Sequence, residues 1–353
     1  MICALLQNKA QGNTLPPMTN PAHMQAVSIS APGGPDVLQL ISVPVPRPAD
    51  DEVLIRVAAA GLNGPDLAQR RGVYDPPPGA SPLPGLEVAG EIAAVGAGVR
   101  DFRPGDRVMA LTNGGGYAEY VAVPSGQVLR VPEGWSLAEA AALPETWFTV
   151  TQTLVMRAGV LPGMDILVHG GTGGIGGAAI SISATLGAKP IAIVSSPEKA
   201  DYARALGAVA TIDRRREDFV ERTLALTNGK GADRIVDILG GESAAKNVQA
   251  SARGGHILQV STLTGGTAPF PLRDMMAKDL TLSGSTLRPQ TSRTKAAIAE
   301  HIRIHLLPHL QRADFPRPHL RSFALSQAAE AHRMLEADSF GKIVLLTDWG
   351  KER

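Results

Sequence analysis

The 353-residue sequence holds a single cysteine, Cys3. A disulfide framework needs at least two, so none can form, and a metal site built on several thiolates is excluded with it. That scarcity fits a reducing compartment, and the cytoplasm is the expected location. Net charge is scarce too: 34 Lys and Arg stand against 33 Asp and Glu, leaving +1. A chain so balanced carries no overall field to hold nucleic acid or an anionic membrane surface. No unbroken apolar run is long enough to span a bilayer. The opening residues, MICALLQNKAQGNTLPPMTNPAH, lack a basic stretch ahead of their short apolar run and are not Arg-rich. Neither a secretory nor an organellar signal is expected there. Residues 1–23 read as a disordered extension, or as a product of the choice of start codon, with the strand-like QAVSISA following Met24.

What is present is an ordinary globular composition, 44% hydrophobic and 19% charged, at a length sufficient for two domains. From Met24 to about Trp147 short alternating segments such as DEVLIRVAAAGLN, EVAGEIAAVGAG and GYAEYVAVP are broken by Gly and Pro. That rhythm predicts a compact β-rich lobe. SLAEAAALPETWFTVTQTLV then turns helical, and from Asp165 strands alternate with helices. Six such strands with helices between them predict an α/β fold with a doubly wound parallel sheet. The segment after about Thr286 is too short for a domain and is expected to return to the front lobe. The division expected is 24–147 with 287–353 in one lobe and 148–286 in the other.

The densest signal is HGGTGGIGG, His169 to Gly177. Glycine is costly to order, so six in nine residues imply a sharp turn or a close approach. Gly171, Gly173, Gly174, Ile175 and Gly176 fall within G-x-G-x-x-G, directly after an apolar strand and at the start of a helix with Ile175, Ala179, Ile182 and Leu186 on one face. In that context the helix N-terminus offers unpaired N–H groups and partial positive charge to a pyrophosphate. Where an NAD site usually carries a carboxylate, at the end of the second strand, the sequence reads IVSSPEK, with Ser195 and Ser196 followed by Lys199. IDRRRED, with Arg214, ends the next strand. Hydroxyls flanked by cations suit a 2′-phosphate, so NADPH is the expected cofactor, bound by Ser195, Lys199 and Arg214. The arginine run reads equally as a solvated turn.

These features together resemble the medium-chain dehydrogenase/reductases over Met24 to Thr347. The stretches SAPGGPDVLQL, AAAGLNGPDLAQRRGVYDPPPGAS, GLEVAGEIAAVG and LPETWFTVTQTL are similar to its zinc-free quinone oxidoreductase branch, and RRGVYDPPPGAS to the stress-inducible members. The resemblance implies a GroES-like catalytic domain beside the Rossmann sheet, and a homodimer paired through LTLSGST. Zinc-dependent relatives place a Cys after the AAxG strand, a His in a GHE triplet and a Cys near the domain junction. This sequence has Asn63, Leu86 in GLE, and no Cys in LPETW, so no metal is expected. His301, His305 and His309 are spaced like ligands, but no carboxylate or thiolate accompanies them and Pro308 interrupts the run. They read as a packing or solvent-facing helix.

Without a Lewis acid the natural acceptor is one already electrophilic, a quinone or an activated enone. Asn63 is expected to face the cleft, offering its amide to the acceptor oxygen or the nicotinamide ribose; it reads also as a cap of the NGPD loop. Tyr74 carries a hydroxyl for the acceptor or the cofactor, or is a loop aromatic held by prolines. The resemblance implies Thr149, Ser261 and Leu287 near the nicotinamide; Asp66 is expected to shape its loop, and Glu87 matches a position beside the family's metal site. An enoyl-thioester reductase and a non-catalytic NADPH-binding protein are the alternative readings; nucleic acid and membrane are not expected partners.

Overall fold

A computed structural model describes residues 20–337 and 340–352. Most of the segment expected to lie outside the fold, residues 1–19, is outside the described residues. The first strand, His23–Ile29, begins at His23 and pairs antiparallel with Leu38–Pro44.

The parallel sheet has six strands, ordered Ala210–Asp213, Lys189–Val194, Asp165–Val168, Ala232–Asp237, Ser251–Gln259, Thr281–Gly284. Numbered along the chain this is 3-2-1-4-5-6, the doubly wound order whose switch point lies beside the first strand. Ile166, Leu167, Val168, Ile193, Ile235 and Ile257 are buried, as strands covered by helices on both faces require. The helix Gly174–Thr185 departs from its expected one-sided pattern. Gly176 and Ala178 through Ser183 are all buried, whereas Ile175 and Leu186 are only half-buried. The helix is wedged between the sheet and the helix Pro144–Val150, so burial comes from two sides and no single stripe is selected.

The second sheet has seven strands. Six run in the order Leu320–Ala324, Lys342–Leu346, Glu52–Gly61, Glu87–Val95, Arg107–Leu111, Val128–Arg130, and Tyr120–Pro124 pairs with Glu52–Gly61. Its topology explains how the site is assembled. Lys342–Leu346 inserts against Glu52–Gly61 antiparallel, with Val344 opposite Gly61, and Leu62 N–H donates to Ile343 O at 2.9 Å. The late strand thereby delivers Lys342 to the end of the early one. The helical stretch after Ser136 is not continuous. It breaks before Pro144, restarts as Pro144–Val150 with proline in the first turn, and widens into a π-helix over Thr151–Arg157. Among the described residues no helix is long and apolar enough to cross a membrane.

Candidate active site

Asn63 lies two residues past the strand Glu52–Gly61 and is the N-cap of the helix Gly64–Arg70. Its backbone N–H donates to Asp66 Oδ2 at 2.8 Å, and Gly85 N–H donates to the other oxygen, Oδ1, at 3.0 Å. Asp66 thus ties two loops together and is fully buried. Burial pushes its carboxyl up to about 6, against the lowering effect of those two N–H bonds, and the charge of Glu87 adds to the rise.

The Asn63 side chain is spent on two partners. Its Nδ2 donates to Glu87 Oε1 at 2.8 Å, and its Oδ1 accepts from Lys342 Nζ at 2.8 Å. Lys342 Nζ also donates to Glu87 Oε1 at 2.6 Å and to Leu62 O at 3.2 Å. An ammonium has three N–H bonds, and all three of these are used. Glu87 Oε2 accepts from Glu145 N–H at 2.9 Å. Asn63, Leu86, Glu87 and the LPETW segment are the very stretches where zinc relatives place their ligands, and here a lysine ammonium stands among them, held by three oxygens. Gly61 leaves room for this: a Cβ there would lie 2.1 Å from Glu87 Oε1.

A second group of charges adjoins the first. Arg288 Nε and Nη2 both donate to Asn113 O, at 3.1 and 2.9 Å, and its guanidinium lies 5.6 Å from the centroid of the Tyr74 ring. Arg288 Nη1 is buried without a hydrogen-bond partner among the described residues. Lys295 Nζ donates to Asn113 Oδ1 and, at 2.7 Å, to Arg288 O. Burial pulls its ammonium down to about 8, partly offset by Glu145. Burial also raises the Tyr74 hydroxyl, and Glu145 adds to it. Glu145, Tyr74, Arg288 and Lys295 are thus within electrostatic reach of one another, at the seam between the front lobe and the segment that follows the parallel sheet.

The glycine loop closes the other wall. Gly173 caps the helix Gly174–Thr185 with no side-chain hydrogen bond, leaving its first amides to an outside acceptor. A Cβ on Gly176 would sit 2.1 Å from Gly170 O, and one on Gly171 2.8 Å from the Ala192 side chain, so both positions require glycine for close packing. Gly174 faces Thr146 and Lys342, a Cβ there meeting them at 3.0 and 3.2 Å. The glycine turn therefore abuts the ammonium cluster directly.

The chain matches the family model described as the alcohol dehydrogenase GroES-like domain over residues 49–133 and that of the zinc-binding dehydrogenases over 174–302. Human quinone oxidoreductase is 32% identical over 331 residues, which cover 92% of this chain and 98% of that one. The chain belongs to the medium-chain dehydrogenase/reductases, in their zinc-free quinone oxidoreductase branch. A solved structure titled as an NAD-dependent alcohol dehydrogenase is 33% identical with a TM-score of 0.79, covering 92% of this chain and 99% of that one. Escherichia coli quinone oxidoreductase complexed with NADPH is 26% identical with a TM-score of 0.77, covering 91% and 99%. This oxidoreductase accordingly binds a nicotinamide dinucleotide. The uncapped helix start and the glycines that no Cβ could replace fit that group.

The expected residues divide into two sets. Asn63, Tyr74 and Leu287, the last buried next to Arg288, are gathered at the seam. Thr149 lies one helical turn from Glu145, donating its Oγ1 to Glu145 O at 2.8 Å. Ser261 follows the fifth strand of the parallel sheet, its carbonyl accepting from Gln259 Nε2 at 2.6 Å. Ser195, Lys199 and Arg214 lie apart from the seam, past the ends of the second and third strands, with Arg214 N–H donating to Val194 O at 3.0 Å. Carboxyl ends of strands are where open α/β sheets take ligands. The rings of His301 and His305 lie 4.5 Å apart, but His309 falls on the separate helix Leu307–Leu310. Among the described residues no three His, Cys, Asp or Glu gather as metal ligands.

Lys342, Glu145, Arg288 and Lys295 were not in the expected set. A lysine opening the apolar run GKIVLL signals a buried partner, since a strand of that character is a core strand. LPETW, the segment where the resemblance implies a Cys in zinc-dependent relatives, carried a second signal.

Proposed function

We propose that the protein transfers hydride from NADPH to quinones or activated enones in the cytoplasm, as a homodimer. The observation that carries this reading is the saturated Lys342 ammonium at the seam, bound to Glu87, Asn63 and Leu62 O. Its donors are all engaged with protein, so it is a fixed positive charge. The donor set of Asn63, Leu86 and Glu87 does not fit a catalytic zinc. An acceptor activated by its own conjugation needs no Lewis acid: orientation and hydrogen bonding to the developing oxyanion suffice. The quinone oxidoreductases among the relatives support that acceptor class.

In this reading Gly171, Gly173, Gly174, Ile175 and Gly176 hold the pyrophosphate through the helix start, and Thr149, Ser261 and Leu287 flank the nicotinamide. Tyr74 meets the acceptor, and Asn63 keeps one amide hydrogen for the acceptor or the ribose. Ser195, Lys199 and Arg214 receive the 2′-phosphate. No carboxylate replaces Ser195 or Ser196 at the end of Lys189–Val194, which supports NADPH over NADH. Ser196 instead caps the next helix, accepting from Lys199 N–H at 3.3 Å. The nicotinamide supplies the hydride when bound; the chain's residues orient it, exclude water and hold the oxyanion.

The test is oxidation of NADPH and NADH with 1,2- and 1,4-quinones, enones and pantetheine thioesters. Quinone turnover with NADPH preferred is the expected result. Preference for thioesters would favour the enoyl reductase reading. Lys199→Glu is expected to raise the KM for NADPH about tenfold or more while changing that for NADH little, the loss of roughly one charge-assisted contact.

A further inference from the structure

The seam binds and orients, yet reduction of a quinone or enone also consumes a proton, which Lys342, Asp66 and Glu87 are not placed to supply. Lys342 is locked in three hydrogen bonds. Asp66 accepts two backbone N–H bonds and is sealed from solvent. Glu87 carries three donors on its two oxygens. Glu145 differs. Its residue is 92% buried, by a relative exposure of 8%, and its carboxyl makes no hydrogen bond or ion pair among the described residues.

We infer that Glu145 is the general acid of the reaction, the carboxylic acid that protonates the acceptor as hydride reaches it. The inference rests on the hydride-transfer reading above and names a residue for its missing half. Three observations converge on it. The backbone of Glu145 is pinned, its N–H on Glu87 Oε2 and its carbonyl under Thr149 Oγ1, so the side chain leaves a fixed point one turn from the residue expected beside the nicotinamide. The acceptor end is marked by Arg288 Nη1, a buried donor with no hydrogen-bond partner among the described residues, beside the Tyr74 ring. An orphaned guanidinium N–H costs free energy unless a ligand oxygen takes it. Finally, Glu145 sits with Glu87 and Asp66, so a third negative charge is opposed: burial, then Glu87, then Asp66 push its carboxyl up to about 8, only partly countered by Lys342 and Lys295. The acid is therefore loaded with its proton at neutral pH, near the matching value at which a donor works best.

The step balances simply. The acceptor gains a hydride, and with it two electrons, from the reduced nicotinamide. The O–H bond of Glu145 breaks, and its proton forms the new bond on the acceptor: on the oxygen of a quinone, or on the oxygen of the enolate left by an enone. Arg288 Nη1 and the Tyr74 hydroxyl hold that oxygen until the proton arrives. The carboxylate left at Glu145 takes a proton from water once product leaves.

Two measurements test this, one without any cofactor. In infrared difference spectra of the ligand-free protein from about pH 6 to about pH 10, a protonated carboxyl C=O band should be lost near pH 8 in the wild type and be missing from Glu145→Gln. In the pH profile of kcat/KM with NADPH and a quinone, the wild type should fall above about pH 8, and Glu145→Gln should lack that fall and run roughly 100-fold slower. A Glu145→Gln enzyme that keeps both the rate and the alkaline fall overturns the general acid while leaving hydride transfer standing. A wild type that reduces no quinone or enone overturns the parent reading, and this one with it. Should Glu145→Gln not fold, Glu145→Asp serves, since its retracted carboxyl must shift the alkaline fall; an unmoved fall overturns the assignment.

Discussion

At the scale of single residues, the energetics of the seam depend on pairing. Glu87 is completely buried and Lys342 nearly so, and their contact at 2.6 Å is what makes either charge tolerable there. Removing one partner of such a pair leaves the other uncompensated, at a cost of about 3–5 kcal/mol, whereas removing both can be close to neutral. Lys342→Met is therefore expected to lower stability by about that amount in urea unfolding, and the double variant Lys342→Met/Glu87→Gln to recover much of it. Equal losses in the single and double variants would show that the lysine stem, and not the charge, carries the effect. A different buried network lies farther out. Arg70 bridges His332 Nδ1 at 3.3 Å and Glu336, and Tyr117 Oη meets His332 Nε2 at 3.2 Å. Burial, with the Arg70 charge, holds the His332 imidazole down at about 3, so this ring is a neutral strut.

At the scale of elements, the glycine turn and the edge strand lead in different directions. The turn was legible because each of its properties is local: an apolar strand, then glycines, then a helix start, all within a dozen residues. The doubly wound parallel sheet, though not its strand order, was legible for the same reason, since alternation of strand and helix leaves few topologies. The seam was only half legible. Asn63 and Tyr74 stand in long motif stretches, but Lys342, Arg288 and Lys295 reach it through a tail that returns to a sheet begun some 280 residues earlier, and no local pattern encodes that meeting. Even the helix Gly174–Thr185 lost its expected stripe to a neighbour supplied from the other lobe. The edge strand Thr281–Gly284 is the element that most calls for a partner. It ends the parallel sheet, exposes Leu282, and is preceded by the helix Leu272–Ala277, which buries none of its residues and exposes Leu272 and Met276. An uncovered edge of this kind invites pairing with a symmetry mate. Leu282→Lys is expected to convert the proposed dimer to monomer in analytical ultracentrifugation; an unchanged sedimentation coefficient would place any dimer contact elsewhere.

At the scale of the whole molecule, the buried titrations shape stability against pH. A carboxyl raised on folding keeps its proton in the native state after the unfolded chain has released it, so stability declines as pH rises between the two values. For Asp66 that window runs from 3.8 to about 6, and for Glu145 from 4.5 to about 8. His332 acts oppositely: held neutral when folded, it makes stability grow with pH from about 3 to 6.5. Lys295, lowered to about 8 from 10.5, adds stability with rising pH only above that lower value. Between about pH 6.5 and 8 Glu145 therefore stands nearly alone among these groups, and unfolding free energy is expected to decline there by up to about 1.4 kcal/mol per pH unit. Glu145→Gln should flatten that decline in urea titrations at several pH values. A slope that survives the substitution would assign the titration to another group.

Lys342 also sets a timetable. A ribosome delivers Asn63, Asp66, Glu87 and Glu145 long before it reaches residue 342, and at about 5–20 residues per second the 280-residue interval from Leu62 lasts roughly 14 to 56 s. Until residue 342 is made, Glu87 lacks its ammonium partner and the end of Glu52–Gly61 lacks the strand that pairs with it. Completion of the seam thus waits on a residue translated after every other member of it.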